Sequence, residues 1–309
     1  MKILIFGING FVGNYLYKEL ISNNHIVTGA DIAEDSNVLN TNDYYSCDIT
    51  DQPSVDKIIK STNPDCIINL AAISSVGQSW KLPQKTFEIN VLGALNILES
   101  VKEFNSAIKI LFIGSSEQYA PSESPLSETS KIDALNPYGA SKSTQEQLAK
   151  MYAENYGMNI NAVRAFNHTG VGQNVNFVLP SWIQQVAKIS KGLASENVLR
   201  VGNVEVSRDF ADVRDIVKAY RLIIESNLSN EILNVGSGKS HLLKDLLNNI
   251  VELSETQINI MVDDNLFRPS DNPFIQCDYS KINNLLGWEP IHDILETIKE
   301  MYENFLETL

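Results

Sequence analysis

The most constraining feature of the chain lies in its first 31 residues. Lys2 to Phe6 is a short apolar run of the kind buried on both faces of a sheet. Gly7-Ile8-Asn9-Gly10-Phe11-Val12-Gly13 follows, and then a helical pattern of Val12, Tyr15, Leu16, Leu20 and Ile21. Three glycines between strand and helix let the backbone turn tightly and approach a pyrophosphate, which the helix N-terminus stabilises. A second strand, His25 to Ala30, ends in Asp31, 18 residues past Gly13, where a carboxylate can bond a ribose 2′-hydroxyl. Gly7, Gly10, Phe11, Val12, Gly13 and Asp31 therefore read as a dinucleotide-binding turn. Asp31 also repels a 2′-phosphate, and Ala33-Glu34-Asp35 offers no arginine to hold one, so NAD(H) is favoured and NADP(H) stays open.

Strand and helix continue to alternate, which predicts an α/β fold with a Rossmann-like, doubly wound parallel sheet. Asp48-Ile49 ends a short third segment, within reach of an adenine. Pro53 to Lys60 reads as a helix, and Asp65 to Leu70 as a buried strand running into Ala71-Ala72. Small residues there admit a dinucleotide or serve close packing, and Leu70, Ala71 and Ala72 join the cofactor set. Pro83 to Phe104 reads as one long amphipathic helix. Its Asn90 is either a capped or solvated position or, facing the site, a holder of water for a proton relay. Lys109 to Gly114 is the next strand and delivers Ser115 and Ser116 to the carboxyl edge of the sheet, where open α/β folds bind ligands.

After a polar loop comes Tyr138-Gly139-Ala140-Ser141-Lys142, on a helix that Pro137 starts. A tyrosine and a lysine four residues apart share one helical face. The ammonium there is expected to favour the phenolate and lower the tyrosine pKa from its reference near ~10. Such a phenol exchanges a proton with a sugar or alcohol oxygen near neutral pH, and a serine at the strand end gives that oxygen a second hydrogen bond.

The formal net charge of −14 argues against nucleic acid or an anionic membrane as the main partner. Cys47, Cys66 and Cys277 have no metal-type spacing, no metal site is expected, and their odd number suggests a reducing compartment. No apolar run approaches ~18 residues, and the stretch before Gly7 is too short for a signal peptide. A soluble, cytoplasmic protein is expected.

Taken together, Gly7-xx-Gly10-xx-Gly13, Asp31, Asp48-Ile49, Ser115 and Tyr138-xxx-Lys142 resemble the extended short-chain dehydrogenase/reductase family, in its nucleotide-sugar branch, over essentially the whole chain. The resemblance implies that Tyr138 is the acid/base, that Lys142 lowers its pKa and holds the nicotinamide ribose, and that Ser115 orients the substrate oxygen. Ser115 rather than Ser116 is the family's serine because it lies four residues before Tyr119. Arg164 to Gln173, Phe177 to Pro180, Arg208 to Asp215 and Arg268 to Asp271 are similar to the GDP-4-keto-6-deoxy-mannose reductases, and part of this set is shared with the GDP-mannose 4,6-dehydratases. Val171 and Ala120 depart from that pattern, where proline and glycine are more usual.

The dinucleotide-binding part is expected over 1–165 and 212–236, and a smaller mixed α/β lobe for the nucleotide sugar over 166–211 and 237–309. Arg208 and Arg268 are the candidates to grip a diphosphate with bidentate forks, the bland alternative being ion pairs of Arg208 with Asp209 or Arg214 with Asp215. Asn167 is expected on phosphate or sugar, His168 near the cofactor, and Val178 and Lys188 on a helix lining the substrate. Three readings are open. The first is reduction of the C4 ketone of a GDP-4-keto-6-deoxy-mannose-type sugar to GDP-rhamnose or its C4 epimer. The second is a 4,6-dehydratase or 4-epimerase, in which Glu117 is the further acid/base; in a reductase Glu117 instead bonds sugar hydroxyls. The third is a dinucleotide-sensing scaffold. A homodimer through the helices starting near Pro83 and Pro137 is a family-level expectation.

Overall fold

The run Lys2–Phe6 buries four of its five residues, and Ile160–Ala165 buries all six, as strands covered on both faces do. The computed structural model describes residues 1–267 and 272–309. Among these the strands are β1 (Lys2–Phe6), β2 (Ile26–Asp31), β3 (Tyr44–Ser46), β4 (Cys66–Asn69), β5 (Lys109–Ile113), β6 (Ile160–Ala165), β7 (Asn167–Thr169), β8 (Val198–Val201), β9 (Ser207–Asp212), β10 (Ile232–Val235), β11 (Ser240–Leu242) and β12 (Asn259–Val262). The helices are α1 (Phe11–Ser22), α2 (Gln52–Thr62), α3 (Val76–Lys81), α4 (Pro83–Phe87), α5 (Gly93–Phe104), α6 (Pro137–Tyr156), α7 (Val178–Ser190), α8 (Val213–Glu225), α9 (Leu243–Glu252), α10 (Ser280–Leu286) and α11 (Ile294–Thr308).

The main sheet has seven strands in the order β10-β6-β5-β4-β1-β2-β3, and every neighbouring pair is parallel. This is the expected doubly wound arrangement, whose strand order reverses between β1 and β4 and opens a crevice at the carboxyl edge. One face is covered by α1 and α8 through Leu16, Leu20, Ile216, Tyr220 and Ile223. The other is covered by α2, α5 and α6 through Val55, Ile59, Ile97, Leu98 and Ala149. Pro83 to Phe104 is not one regular helix: a π-helical turn over Glu88–Leu92 separates α4 from α5. The wider turn carries Asn90, which is fully buried.

Beyond β6, a three-stranded sheet (β11-β9-β7) and a parallel pair (β12-β8) pack with α7, α9 and α11 around Leu179, Ile183, Leu247, Ile250 and Ile298. The segment 280–288, read from the sequence as part of the smaller lobe, contributes Ile282 and Trp288 to the core over the main sheet. Among the described residues no helix is long and apolar enough to cross a membrane.

Three aspartates of the Arg208–Asp215 stretch tie these layers together. Asp209 accepts from Ser237 N and Oγ, Gly238 N and Cys277 N, all at 2.7–2.9 Å. Asp212 caps α8 and accepts from Thr297 Oγ1 of α11 at 2.7 Å. Asp215 accepts from the Ile291 and His292 amides, each at 3.0 Å, and pairs with His292 Nδ1 at 2.8 Å. Arg214 pairs with Asp212 and Glu300 rather than with Asp215.

Candidate active site

The glycine turn is as tight as its residues allow. Gly7 has φ +82°, and a Cβ on it would lie 2.6 Å from the Ala71 nitrogen and 2.8 Å from the Leu70 carbonyl carbon. A Cβ on Gly13 would collide with the Ile8 carbonyl, so α1 can seat on the turn only with glycine there. Gly10 is the N-cap of α1, and no side chain bonds the first-turn amides, which leaves them for an anion. Phe11 stacks on His168 with ring centroids 6.5 Å apart, and Val12 packs on the core. Asp31 ends β2 half-buried, accepting from the Asn9 amide at 3.1 Å and the Ile32 amide at 2.8 Å. These features fit a dinucleotide: a close backbone, a helix start without a side-chain cap, and a carboxylate at the end of β2.

Two cofactor candidates have other duties. Asp48 turns its carboxylate onto Thr50 N and Oγ1, at 2.9 and 2.7 Å, and those bonds hold it below the usual carboxylate range. Ile49 is a core residue packed under Gly93, so its side chain faces α5 rather than the crevice. Alternation along the segment points Asp48 outward and Ile49 inward. Leu70, Ala71 and Ala72 follow β4 half-buried, with Leu70 and Ala71 against the Gly7 turn.

The strand β5 runs through Gly114 into Ser115, the N-cap of a 3₁₀ turn over Ser116–Gln118. The Ser115 Oγ accepts from the Glu117 amide at 3.1 Å and stands near enough to the Tyr138 phenol to pull its pKa down. Helix α6 starts beside this turn because Asn136 caps it, accepting from Gly139 N at 2.8 Å, and because Gly139 has no Cβ to strike the Glu117 carbonyl. The Ser79 hydroxyl accepts from the Tyr138 amide at 3.2 Å. Ser115, Tyr138 and Lys142 are all buried; Ser115 acts on the Tyr138 phenol, and Lys142, one turn along α6, reaches the Ile113 carbonyl two residues before Ser115.

Their electrostatics differ from the expectation. Burial pushes the Tyr138 phenol up to about 12; Ser115 pulls it down and the Glu117 charge adds to the rise. Desolvation lowers Lys142 to about 7, while its Nζ donates to Ile113 O at 2.7 Å and Gln145 Oε1 at 3.1 Å. The anticipated lowering of the phenol by the neighbouring ammonium is not among the influences on it: burial dominates and raises it, and the influences that act beside burial come from Ser115 and Glu117. Asn90 also departs from its expected part. Its Oδ1 accepts from Ile73 N at 2.8 Å, and its Nδ2 donates to Ile73 O at 3.1 Å and Ser141 Oγ at 2.9 Å. It clips the loop after β4 to α6, with both amide hydrogens engaged in place of a water relay.

Glu117 is half-buried, with its carboxylate held by Asn136 Nδ2 at 2.8 Å. Asn167 lies half-buried on β7, and His168 beside it contacts Phe166 O through Nδ1 at 3.0 Å, burial holding it below its ordinary value. Val178 opens α7, but Lys188 is ten residues further, roughly 15 Å along the axis, and its Nζ rests on Gln184 at 3.3 Å. Arg208 is buried and donates Nη1 to Ser207 O at 2.9 Å. Arg268 lies outside the described residues.

Sequence reasoning overlooked Asn136, Gln118 and Glu146. Two signals were present: Asn136-Pro137 is a helix-start pair, and Ser115-Ser116-Glu117-Gln118 has the spacing of a capping box.

The family model described as GDP-mannose 4,6 dehydratase matches residues 4–301. The chain belongs to that family. The GDP-mannose 4,6-dehydratase family is part of the extended short-chain dehydrogenase/reductase group, nucleotide-sugar branch, that the motifs resembled. Among its relatives, a GDP-6-deoxy-D-mannose reductase of Pseudomonas aeruginosa is 29% identical over 78% of this chain and 80% of its own length. GDP-mannose 4,6 dehydratase 1 of Arabidopsis thaliana is 31% identical over 84% of this chain and 73% of its own. A solved structure of RMD from Pseudomonas aeruginosa complexed with NADPH superimposes with a TM-score of 0.88 at 26% identity, covering 100% of this chain and 99% of that one. Like other members of the GDP-mannose 4,6-dehydratase family, this chain is an enzyme of the nucleotide-sugar-modifying type.

Proposed function

We propose that the protein reduces the C4 ketone of a GDP-4-keto-6-deoxy-mannose-type sugar to a GDP-6-deoxyhexose. The observation that carries this reading is that Ser115 influences the Tyr138 phenol, while Lys142, on the same helical face, reaches the Ile113 carbonyl at the end of the strand that delivers Ser115. A phenol pushed up to about 12 still holds its proton at neutral pH, which is the form a ketone reduction needs. A bound NAD(P)H supplies the hydride. Tyr138 gives its proton to the oxygen that becomes the alcohol, Ser115 hydrogen-bonds the same oxygen, and Lys142 meets the cofactor ribose and the charge left on the phenol. Gly7, Gly10, Phe11, Val12 and Gly13 take the pyrophosphate, and Asp31 takes the adenosine ribose, favouring NAD(H). The NADPH held by the Pseudomonas relative keeps NADP(H) open. Asn167, Val178 and Arg208 are assigned to the sugar nucleotide.

A second reading rests on Glu117. Its carboxylate is anchored by Asn136 and reaches Tyr138 electrostatically, which suits removal of a proton at C5 in a 4,6-dehydratase. Phe87, Leu92, Met151 and Tyr156 are exposed on the helical run from Pro83 and on α6, which supports a homodimer through that face. A cytoplasmic location remains part of this reading.

Purified protein is to be incubated with GDP-4-keto-6-deoxy-mannose and with GDP-mannose, each with NADH and NADPH. Stoichiometric cofactor oxidation with the keto sugar is expected. Conversion of GDP-mannose without net cofactor consumption would establish the dehydratase instead, and cofactor binding with no turnover of either sugar would leave the scaffold.

A further inference from the structure

The serine turn is held from behind by a buried polar line. The Ser115 amide donates to Gln118 Oε1 at 2.8 Å, and Gln118 Nε2 donates to Glu146 Oε2 at 3.0 Å. Glu146 sits on α6, four residues past Lys142, and receives a two-pronged bond from Arg164 of β6: Nε to Oε2 at 2.8 Å and Nη2 to Oε1 at 2.7 Å. Arg164 Nη1 donates to Tyr119 Oη at 2.9 Å, and Tyr119 donates to Asn234 Oδ1 on β10 at 2.6 Å. One connected set thus spans the strand end that carries Ser115, the helix that carries Tyr138, and two more strands.

Three physical points give this line a purpose beyond packing. A buried ion pair is seldom more stable than apolar residues of the same volume, and the Arg164 and Glu146 side chains are only 5% and 14% exposed. The Gln118 amide has one workable orientation, because Ser115 offers a donor and Glu146 an acceptor; a flipped amide would lose both bonds. Gly114 leaves room for that amide, since a Cβ there would run into Gln118 Oε1. The result is a capping box in which Gln118 fixes the Ser115 backbone while the Glu117 amide fixes its hydroxyl. With one Oγ lone pair committed to Glu117, the hydroxyl is left to the phenol.

We propose that Gln118 is a positioning residue for Ser115, and that the Glu146–Arg164 pair serves to hold the Gln118 amide in register between the serine turn and the tyrosine helix. This rests on the reading of Ser115 as the residue that shares the substrate oxygen with Tyr138. Misplacing a reacting group by about an ångström costs up to ~100-fold in rate, so loss of the amide lowers kcat and leaves ligand affinity alone.

The test is a double-mutant cycle on the full-length enzyme with GDP-4-keto-6-deoxy-mannose and NADH. Gln118→Met keeps the volume and removes both bonds. It is expected to lower kcat about 10-fold or more, with KM and the cofactor Kd, read by NADH fluorescence, within about twofold. In a Ser115→Ala background it is expected to have no further effect. Glu146→Gln, which keeps the shape and one acceptor oxygen, serves as a second entry to the cycle with the same pattern at smaller size. Equal losses in the parent and in Ser115→Ala, or a parallel rise in cofactor Kd, would overturn the proposal while leaving the role of Ser115 intact. Full activity of Ser115→Ala alone would remove the reading of Ser115 and this proposal with it.

Discussion

The ammonium of Lys142 donates to the carbonyl of Ile113 at 2.7 Å, so the helix bearing Tyr138 is pinned to the strand that delivers Ser115. A lysine buried in this way is held in a state its charge disfavours, and desolvation lowers it to about 7. Its folded pKa lies below the unfolded value near ~10.4. The stability linked to this group is therefore complete only above that value and is lost as pH falls through 7.

Lys142→Met is accordingly expected to abolish turnover and yet to raise the melting temperature of the cofactor-free protein at neutral pH. Each unit of depression is worth about 1.4 kcal/mol, and the lost bonds to Ile113 and Gln145 offset part of it. A net gain of roughly 2 °C or more is expected, shrinking toward pH ~10. Calorimetric scans across pH check this; a lower melting temperature at neutral pH would contradict it.

Tyr138 has the opposite sign. Its folded pKa is raised above the reference near ~10, to about 12, so its contribution to stability is complete below the reference value and disappears as pH climbs toward 12. Tyr138→Phe should flatten this alkaline loss in urea midpoints compared at about pH 8 and about pH 11. It should also reduce kcat by ~10²- to 10⁴-fold while cofactor affinity is retained.

At the end of β2, the Asp31 carboxylate accepts from the Asn9 amide of the glycine turn and from the Ile32 amide next to it in the chain, and still stands half-buried at the sheet edge. Asp31→Ser is expected to move the ratio of kcat/KM for NADPH over NADH upward by ~10-fold or more, since a fixed like charge against a phosphate costs several kcal/mol. An unchanged ratio would place the ribose elsewhere.

The four donors on Asp209 come from segments far apart in the chain. Asp209→Ala leaves the amides of Ser237, Gly238 and Cys277 without that acceptor, and about 3 kcal/mol or more of stability should go with it. Desolvation raises the Asp209 carboxyl to about 6 despite these bonds. Asp209→Asn, which keeps one oxygen, is expected to lose about half as much. Denaturant titration of the two variants measures the difference.

Much of this site could be read before any coordinates. The strand–glycine–helix–strand–Asp31 order and the four-residue spacing of Tyr138 and Lys142 are local patterns, and periodicity places them on a sheet edge and a helix face. Arg208, Arg214 and their neighbouring acids were not readable in the same way. Arg208 was expected to grip a diphosphate, with ion pairs to the adjacent acids as the bland alternative; in the fold Arg214 pairs with Asp212 and Glu300, and Asp209, Asp212 and Asp215 each reach loops or helices 28 to 85 residues downstream. Lys188 likewise carried a charge suited to an anion, yet its place on α7 set it against Gln184.

By itself, the order of residues determined the parallel sheet, the dinucleotide turn and the serine–tyrosine–lysine set, because each depends on backbone geometry and spacing within a few turns. Only the tertiary structure decided what those groups feel. The phenol rises instead of falling, Asn90 becomes a clip instead of a relay, and Ile49 turns into the core. Each depends on burial and on partners brought in from distant segments, and hydration lost on packing is a property of the whole fold.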